Sequence, residues 1–157
     1  MRGNFNYKKH DLEPDEKHGS LLVTKLINKV MLNGKKTVAK RIVYTALEES
    51  AKELKVKPMD VFEIVLRNVG PLVEVKGKRI GGANYQVPVE VDKNRRNTLA
   101  MRWLIAAARG RKGADMAKAL KLEMIDSYNS TGSAIKKKEE THRMAEANKA
   151  FAHFARF

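Results

Sequence analysis

The stretch PLVEVKGKRIGGANYQVPVEV, residues 71–91, is where the apolar spacing of this chain changes from a helical period of about 3.6 to the period of a strand. Two runs of alternating residues flank the adjacent glycines Gly81 and Gly82, the pattern of a β-hairpin over residues 72–91. Val73 and Val75 are expected to share one face with Tyr85, Val87, Val89 and Val91, leaving Glu74, Lys76, Gln86 and Glu90 on the other. Pro88 would be excluded from the centre of a sheet, but it fits a two-stranded ribbon, where both strands are edges. A lone ribbon is marginal in water, so its valine face should pack at its base on the rest of the chain while GKRIGGAN projects.

From Ser20 onward, the chain on either side of this stretch reads as helices joined by short turns. Upstream, Ser20 is positioned to cap a helix with Val23, Leu26, Ile27 and Val30 inward, stopped by Asn33-Gly34. Val38, Ile42, Val43, Ala46, Leu47, Ala51 and Leu54 carry the period through a second helix. Pro58 opens a third, with Val61, Phe62, Val65, Leu66 and Val69 inward, ended by Gly70-Pro71. Downstream, Asp92 caps a fourth helix whose expected stripe is Leu99, Trp103, Ala106, Ala107 and Gly110, with Trp103 in the core. A fifth is expected over 115–129, burying Met116, Leu120, Met124 and Tyr128, and a sixth from near Ser133. Its late stripe of Met144, Ala147, Phe151 and Phe154 either docks on a partner or folds back on its own domain. The fold class is mainly α: one domain of about six helices with a protruding two-stranded hairpin between helices three and four. Residues 1–19 form a partly extended arm and 20–157 the helical domain.

Charge is the second signal. The chain of 157 residues carries 32 Lys and Arg against 18 Asp and Glu, a formal +14 expected of a polyanion binder. The excess sits in two segments. Residues 20–41 hold Lys25, Lys29, Lys35, Lys36, Lys40 and Arg41 without an acid, and 76–112 hold ten basic residues against Glu90 and Asp92. Such segregation points to a binding face. Lys93, Arg95 and Arg96 occupy the first turn of helix four, where the helix dipole disfavours cations, so an anion such as phosphate should offset them. Arg109, Arg111 and Lys112 need no ligand, since cations complement the dipole at a helix C-terminus. At the hairpin tip Lys76, Lys78 and Arg79 supply charge beside Gly77, Gly81 and Gly82, more glycine than an ordinary turn requires.

Other chemistries are set aside. The chain has no Cys, hence no disulfide or thiolate metal site, and its start MRGNFNYKKHD lacks an apolar export region, so a soluble intracellular protein is expected. GKK at 34–36 lacks the glycine and hydroxyl of a phosphate loop. His10, His18, His142 and His153 fit no metal spacing and read as surface residues, so no metal or cofactor is expected. Glu48, Glu49 and Glu53 face water near Lys52 and Lys57, without a catalytic partner. No enzyme activity, small-molecule substrate or membrane contact is expected. With one Trp, four Tyr and five Phe, no base-stacking platform for single strands is expected, and the partner should be a folded or double-helical nucleic acid read through its backbone and shape. Two readings stay open on these grounds, an RNA scaffold protein and a DNA-bending protein with a basic arm, the second weakened because only Ile80 could act as a wedge at the tip.

GGANYQVPVEV followed by RRNTLAMRW, the run GKKTVAKRIVYTAL, and the closing KKKEETHRMAEANKAFAH resemble the family of ribosomal protein seven of the bacterial small subunit, in the same order over about residues 20–155. The resemblance implies a six-helix body with a β-ribbon, no catalysis, and a place in the cytoplasmic ribosome. It further implies primary binding to the 3′ major domain of small-subunit ribosomal RNA, with a role in starting assembly of the head. The ribbon tip, Lys78, Arg79, Gly81 and Gly82, would lie near exit-site transfer RNA, and the C-terminal helix near the messenger RNA exit channel and protein eleven, with protein nine a further neighbour. Matching positions carry the family's RNA contacts to Lys35, Lys36, Lys76 to Gly82, Arg95, Arg96 and Arg102; Lys25, Lys29 and Lys93 join them from the charge map. The arm departs from the family, since Arg2, Lys8 and Lys9 are diluted by Asp11, Glu13, Asp15 and Glu16.

Overall fold

A computed structural model of the chain describes residues 11–156. The elements run α1 (Leu21–Val30), α2 (Lys36–Leu54), α3 (Pro58–Val69), β1 (Val73–Ile80), β2 (Ala83–Glu90), α4 (Lys93–Gly110), α5 (Met116–Tyr128), α6 (Gly132–Ala147) and a terminal 3-10 helix (Lys149–Arg156). The hairpin between α3 and α4 is thus where the change of period puts it.

Burial follows the helical stripes closely at the centre of the molecule. On α3, Val61, Phe62, Val65, Leu66 and Val69 are all buried. They meet Leu26 and Ile27 of α1, Leu47 of α2, Met101 and Leu104 of α4, and Leu120 and Met124 of α5 in one continuous core. Helix α5 sits amid the body and touches α2, α3, α4 and α6. At the ends of the stripes the sequence reading needs correction. Val38 is 43% exposed, with Ala39 buried in its place. On α4, Ala106 and Gly110 face outward and Trp103 is half-buried; the buried positions are Leu99, Ala100, Met101, Leu104, Ile105 and Ala108. The apolar stripe there is wide, and small residues gave no contrast from which to locate its centre.

Helix entry is arranged differently at α1 and α4. Asp92 accepts the N–H of Arg95 at 2.7 Å, satisfying an otherwise orphaned donor. Ser20 holds the cap position of α1 but makes no side-chain cap bond. Asp15 organises that entry instead, accepting the N–H groups of Lys17 at 3.2 Å, His18 at 2.8 Å and Ser20 at 2.8 Å. Burial pushes this carboxyl upward, but the three N–H donors outweigh it and hold Asp15 below its usual range.

The hairpin closes on a two-residue turn with positive φ at both Gly81 (57°) and Gly82 (88°), a requirement of the type I′ turn and sufficient reason for the paired glycines. Because that turn has an even number of residues, odd-numbered positions pair with even-numbered ones: Glu74 with Val89, Lys76 with Val87, Lys78 with Tyr85, Val75 with Pro88. Residues directly opposite share a face, so Val73 and Val75 lie on the side away from Tyr85, Val87 and Val89, which overturns the expected valine face. The covered side carries Glu74, Val87 and Tyr85, with Val87 wholly buried. Counting from the closing pair Ile80 and Ala83, Pro88 falls at a non-hydrogen-bonded position, where its missing N–H costs the ladder nothing.

Candidate nucleic-acid interface

Helices α1 and α4 bring the two basic segments together. Leu22, near the start of α1, lines one hollow of about 510 Å³ with Glu63 and Arg67 of α3 and Lys93, Arg96 and Asn97 of α4, so one acid stands among its three cations. Seven residues further along α1 and about nine along α4, Lys29 lines a second, of about 240 Å³, with Arg102, Ile105, Ala106 and Arg109. The two helices therefore run alongside in the same direction, and the Arg109 guanidinium reaches the Val30 carbonyl at 3.5 Å. Arg109 also borders a third hollow of about 460 Å³ with Lys35, Val38, Ile42 and Met116. A chain of cations thus extends from Lys93 and Arg96, past Lys29 and Arg102, to Arg109 and Lys35.

The electrostatics at its centre are unfavourable to the protein alone. Burial is the main reason the Lys29 ammonium is pulled below its ordinary value, and the like charges of Arg102 and Lys25 add to it. Among the described residues no acid pairs with any of the three, which leaves a positive field that an external anion relieves.

Other predicted residues have partners within the protein. Arg95 donates to Glu74 from Nη2 at 3.0 Å and from Nε at 3.3 Å, and Lys76 lies 3.5 Å from the same carboxylate. Arg96 donates to the carbonyls of Gly70 at 3.2 Å and Arg67 at 3.1 Å. Arg95 and Arg96 are therefore offset by Glu74 and by the carbonyl end of α3, so for these two an anion need not be supplied from outside. Lys36 lines a hollow with Asp11, Glu13, Asp15 and Glu16 of the arm, and Lys40 pairs with Glu16 at 2.7 Å. Arg79 projects from the outer half of the hairpin, and Lys78 donates to the carbonyls of Phe154 and Ala155. Arg2, Lys8, Lys9 and His10 lie outside the described residues.

Among the acids of α2, Glu49 and Glu53 pair with Lys121 of α5, and Glu48 with Lys17, rather than lying idle near Lys52 and Lys57. Two histidines depart from a surface role. His142 is half-buried and accepts the Leu72 N–H at 3.0 Å, and His18 packs its edge against Tyr44 at 5.7 Å. Sequence reasoning set Arg109 aside as a cation that complements the helix dipole, although its spacing of seven from Arg102 puts both on one helix face. Arg67 carried no such signal, since only the fold lays α3 beside α4.

The family profile described as ribosomal protein S7p/S5e matches residues 2–149. The chain belongs to that family. A small ribosomal subunit protein uS7 of Chloroflexus aurantiacus is 55% identical over 155 residues, covering 99% of this chain and 98% of that protein. Its counterpart in Herpetosiphon aurantiacus is 57% identical over 143 residues, 91% of either chain, and that of Thermotoga neapolitana 52% identical over 147, covering 94% and 95%. As a member of the S7p/S5e family the chain is a structural, non-catalytic constituent of the small ribosomal subunit, and ribosomal RNA and ribosomal proteins are its partners. Within the described residues no helix is long and apolar enough to cross a membrane.

Proposed function

We propose that this S7p/S5e protein is a primary binder of the 3′ major domain of small-subunit rRNA and nucleates assembly of the head. The observation that carries this reading is the grouping of Lys25, Lys29 and Arg102 along the seam of α1 and α4, continued by Arg109 toward Lys35. A surface with several cations unpaired by acids, and no fully exposed aromatic among the described residues, suits phosphate contacts along a folded RNA rather than base readout. Lys36, Lys93 and Arg96 adjoin these cations and serve as further contacts, and Arg79 contributes from the hairpin. Arg95 and Lys76 contribute after sharing Glu74. Residues 20–157 act as the RNA-binding domain and 1–19 as an arm, whose acids at 11–16 partly neutralise Lys36 and Lys40.

In the same reading the hairpin tip, with Lys78, Arg79, Gly81 and Gly82, stands near exit-site tRNA. The C-terminal helix lies toward the mRNA exit channel and small-subunit protein eleven, with protein nine alongside. The support is shape: the hairpin extends beyond the helical core, and every tip residue from Arg79 to Asn84 except Ile80 is exposed.

A competition assay with the full chain tests the reading: a folded transcript of the rRNA 3′ major domain should displace duplex DNA of equal length. With about eight phosphates neutralised, log K should fall against log salt with a slope of roughly −6 to −7. Equal affinity for the two nucleic acids, or a slope near −2, would count against it.

A further inference from the structure

The terminal 3-10 helix packs on the hairpin through one of its faces. Phe151 and Phe154 of the terminal 3-10 helix stand 6.3 Å apart with nearly parallel rings, and Tyr85 of β2 packs against both, at 5.3 and 5.2 Å. Directly across the ladder from Tyr85, Lys78 sends its ammonium to the carbonyls of Phe154 at 3.1 Å and Ala155 at 3.2 Å. Those carbonyls belong to the last turn of the 3-10 helix, where acceptors lack partners within the helix and carry the negative end of its dipole. One cross-strand pair of the hairpin thus grips the tail twice, by its rings and by its main chain.

The geometry points to an intramolecular latch: the C-terminal segment Lys149–Arg156 clasps the Lys78–Tyr85 rung of the hairpin, stiffening it and withholding the Lys78 ammonium from outside anions until the segment lifts. Aromatic pairs of this kind add a modest stabilisation beyond their burial, and a cation on exposed helix carbonyls somewhat less. The sum is small enough for a polyanion to displace the tail, and large enough for the closed form to dominate in the free protein. Only its meaning for tRNA proximity rests on the reading above; the contact itself does not.

The test uses the full chain and no RNA, so its failure is distinct from failure of RNA binding. Acetic anhydride labelling of the Phe151→Ser, Phe154→Ser double variant, read by peptide mass spectrometry, should acetylate Lys78 several-fold faster than in the unaltered chain. Lys76, which projects on the same face beside Glu74, should change little and serves as the internal control. Hydrogen exchange over residues 73–90 should quicken in that variant, with α3 amides still protected. Lys78→Met leaves the ring packing in place and should speed exchange over 151–155. Unchanged Lys78 labelling in the first variant, or unchanged tail exchange in the second, overturns the latch.

Discussion

One carboxylate oxygen of Glu123 accepts both the Nε and the Nη2 of Arg111, at 3.0 and 2.6 Å, in a position with no exposed surface at all. Its other oxygen accepts the Ala134 N–H at 2.9 Å, which ties the start of α6 to α5, and Asp126 takes a further bond from Arg111. A cation that the sequence explained by the helix dipole alone is thus the counter-charge of a buried acid. Arg111→Ala should destabilise the chain by about 3 kcal/mol, because it leaves Glu123 charged and unpaired in the interior. Urea unfolding measures this, and a loss under about 1 kcal/mol would show that Glu123 does not depend on the pair.

Gly132 stands beside that cluster with φ at +90°, and a Cβ there would come 2.9 Å from Asp126 Cβ and 3.0 Å from Glu123 Oε1. Gly132→Ala combines left-handed strain with a steric clash and should cost about 2 to 4 kcal/mol. Gly77→Ala has open space and no positive φ, and should shift stability by less than about 0.5 kcal/mol. Thermal melts of the two variants side by side separate the cases; similar shifts would contradict the assignment.

Arg96 and Arg102 lie on one helix yet should fail differently. Arg102→Ala removes a cation from the α1 and α4 seam and should lower the magnitude of the RNA salt slope by about 0.7 to 0.9 with no change in folding. Arg96→Ala also removes bonds to the Gly70 and Arg67 carbonyls, so RNA affinity and stability should drop together, the latter by about 1 kcal/mol. Filter binding across a salt series, paired with unfolding curves, distinguishes them.

His142 gives the hairpin base a pH dependence. Burial first, then the charges of Lys138 and Arg96, hold its pKa below 6.5, so the neutral ring that accepts the Leu72 N–H is favoured by folding. The stability this provides is complete above the unfolded value of about 6.5 and is lost as pH falls through the lower folded value. His142→Phe should therefore narrow the stability difference between about pH 7.5 and pH 5.5 relative to the unaltered chain. An identical difference in both proteins would remove His142 from this role.

Where one residue type dominated a narrow face, the sequence was easy to read. The five inward positions of α3 are all buried because large apolar residues there alternate with Asp60, Glu63 and Arg67. On α4 the abundance of alanine blurred the stripe, and in the hairpin valines stand on both faces, so only the turn length decides which are covered. The charge map found the two basic segments and could not tell which cations have internal partners. That depends on contacts distant along the chain, such as Arg95 with Glu74 and Lys78 with the tail, which local spacing does not encode. Glu123 was invisible for the same reason: an acid within a helix looks solvated until the neighbouring elements close over it.

The two-glycine turn fixes in what increments the finger could change length. Adding one rung would move Pro88 onto a site where the ladder demands a donor it lacks, and would swing Lys78 and Tyr85 to the opposite side from the tail. Two rungs restore both relations, so growth or trimming between Pro88 and the tip is permitted only four residues at a time, about 7 Å of reach per step.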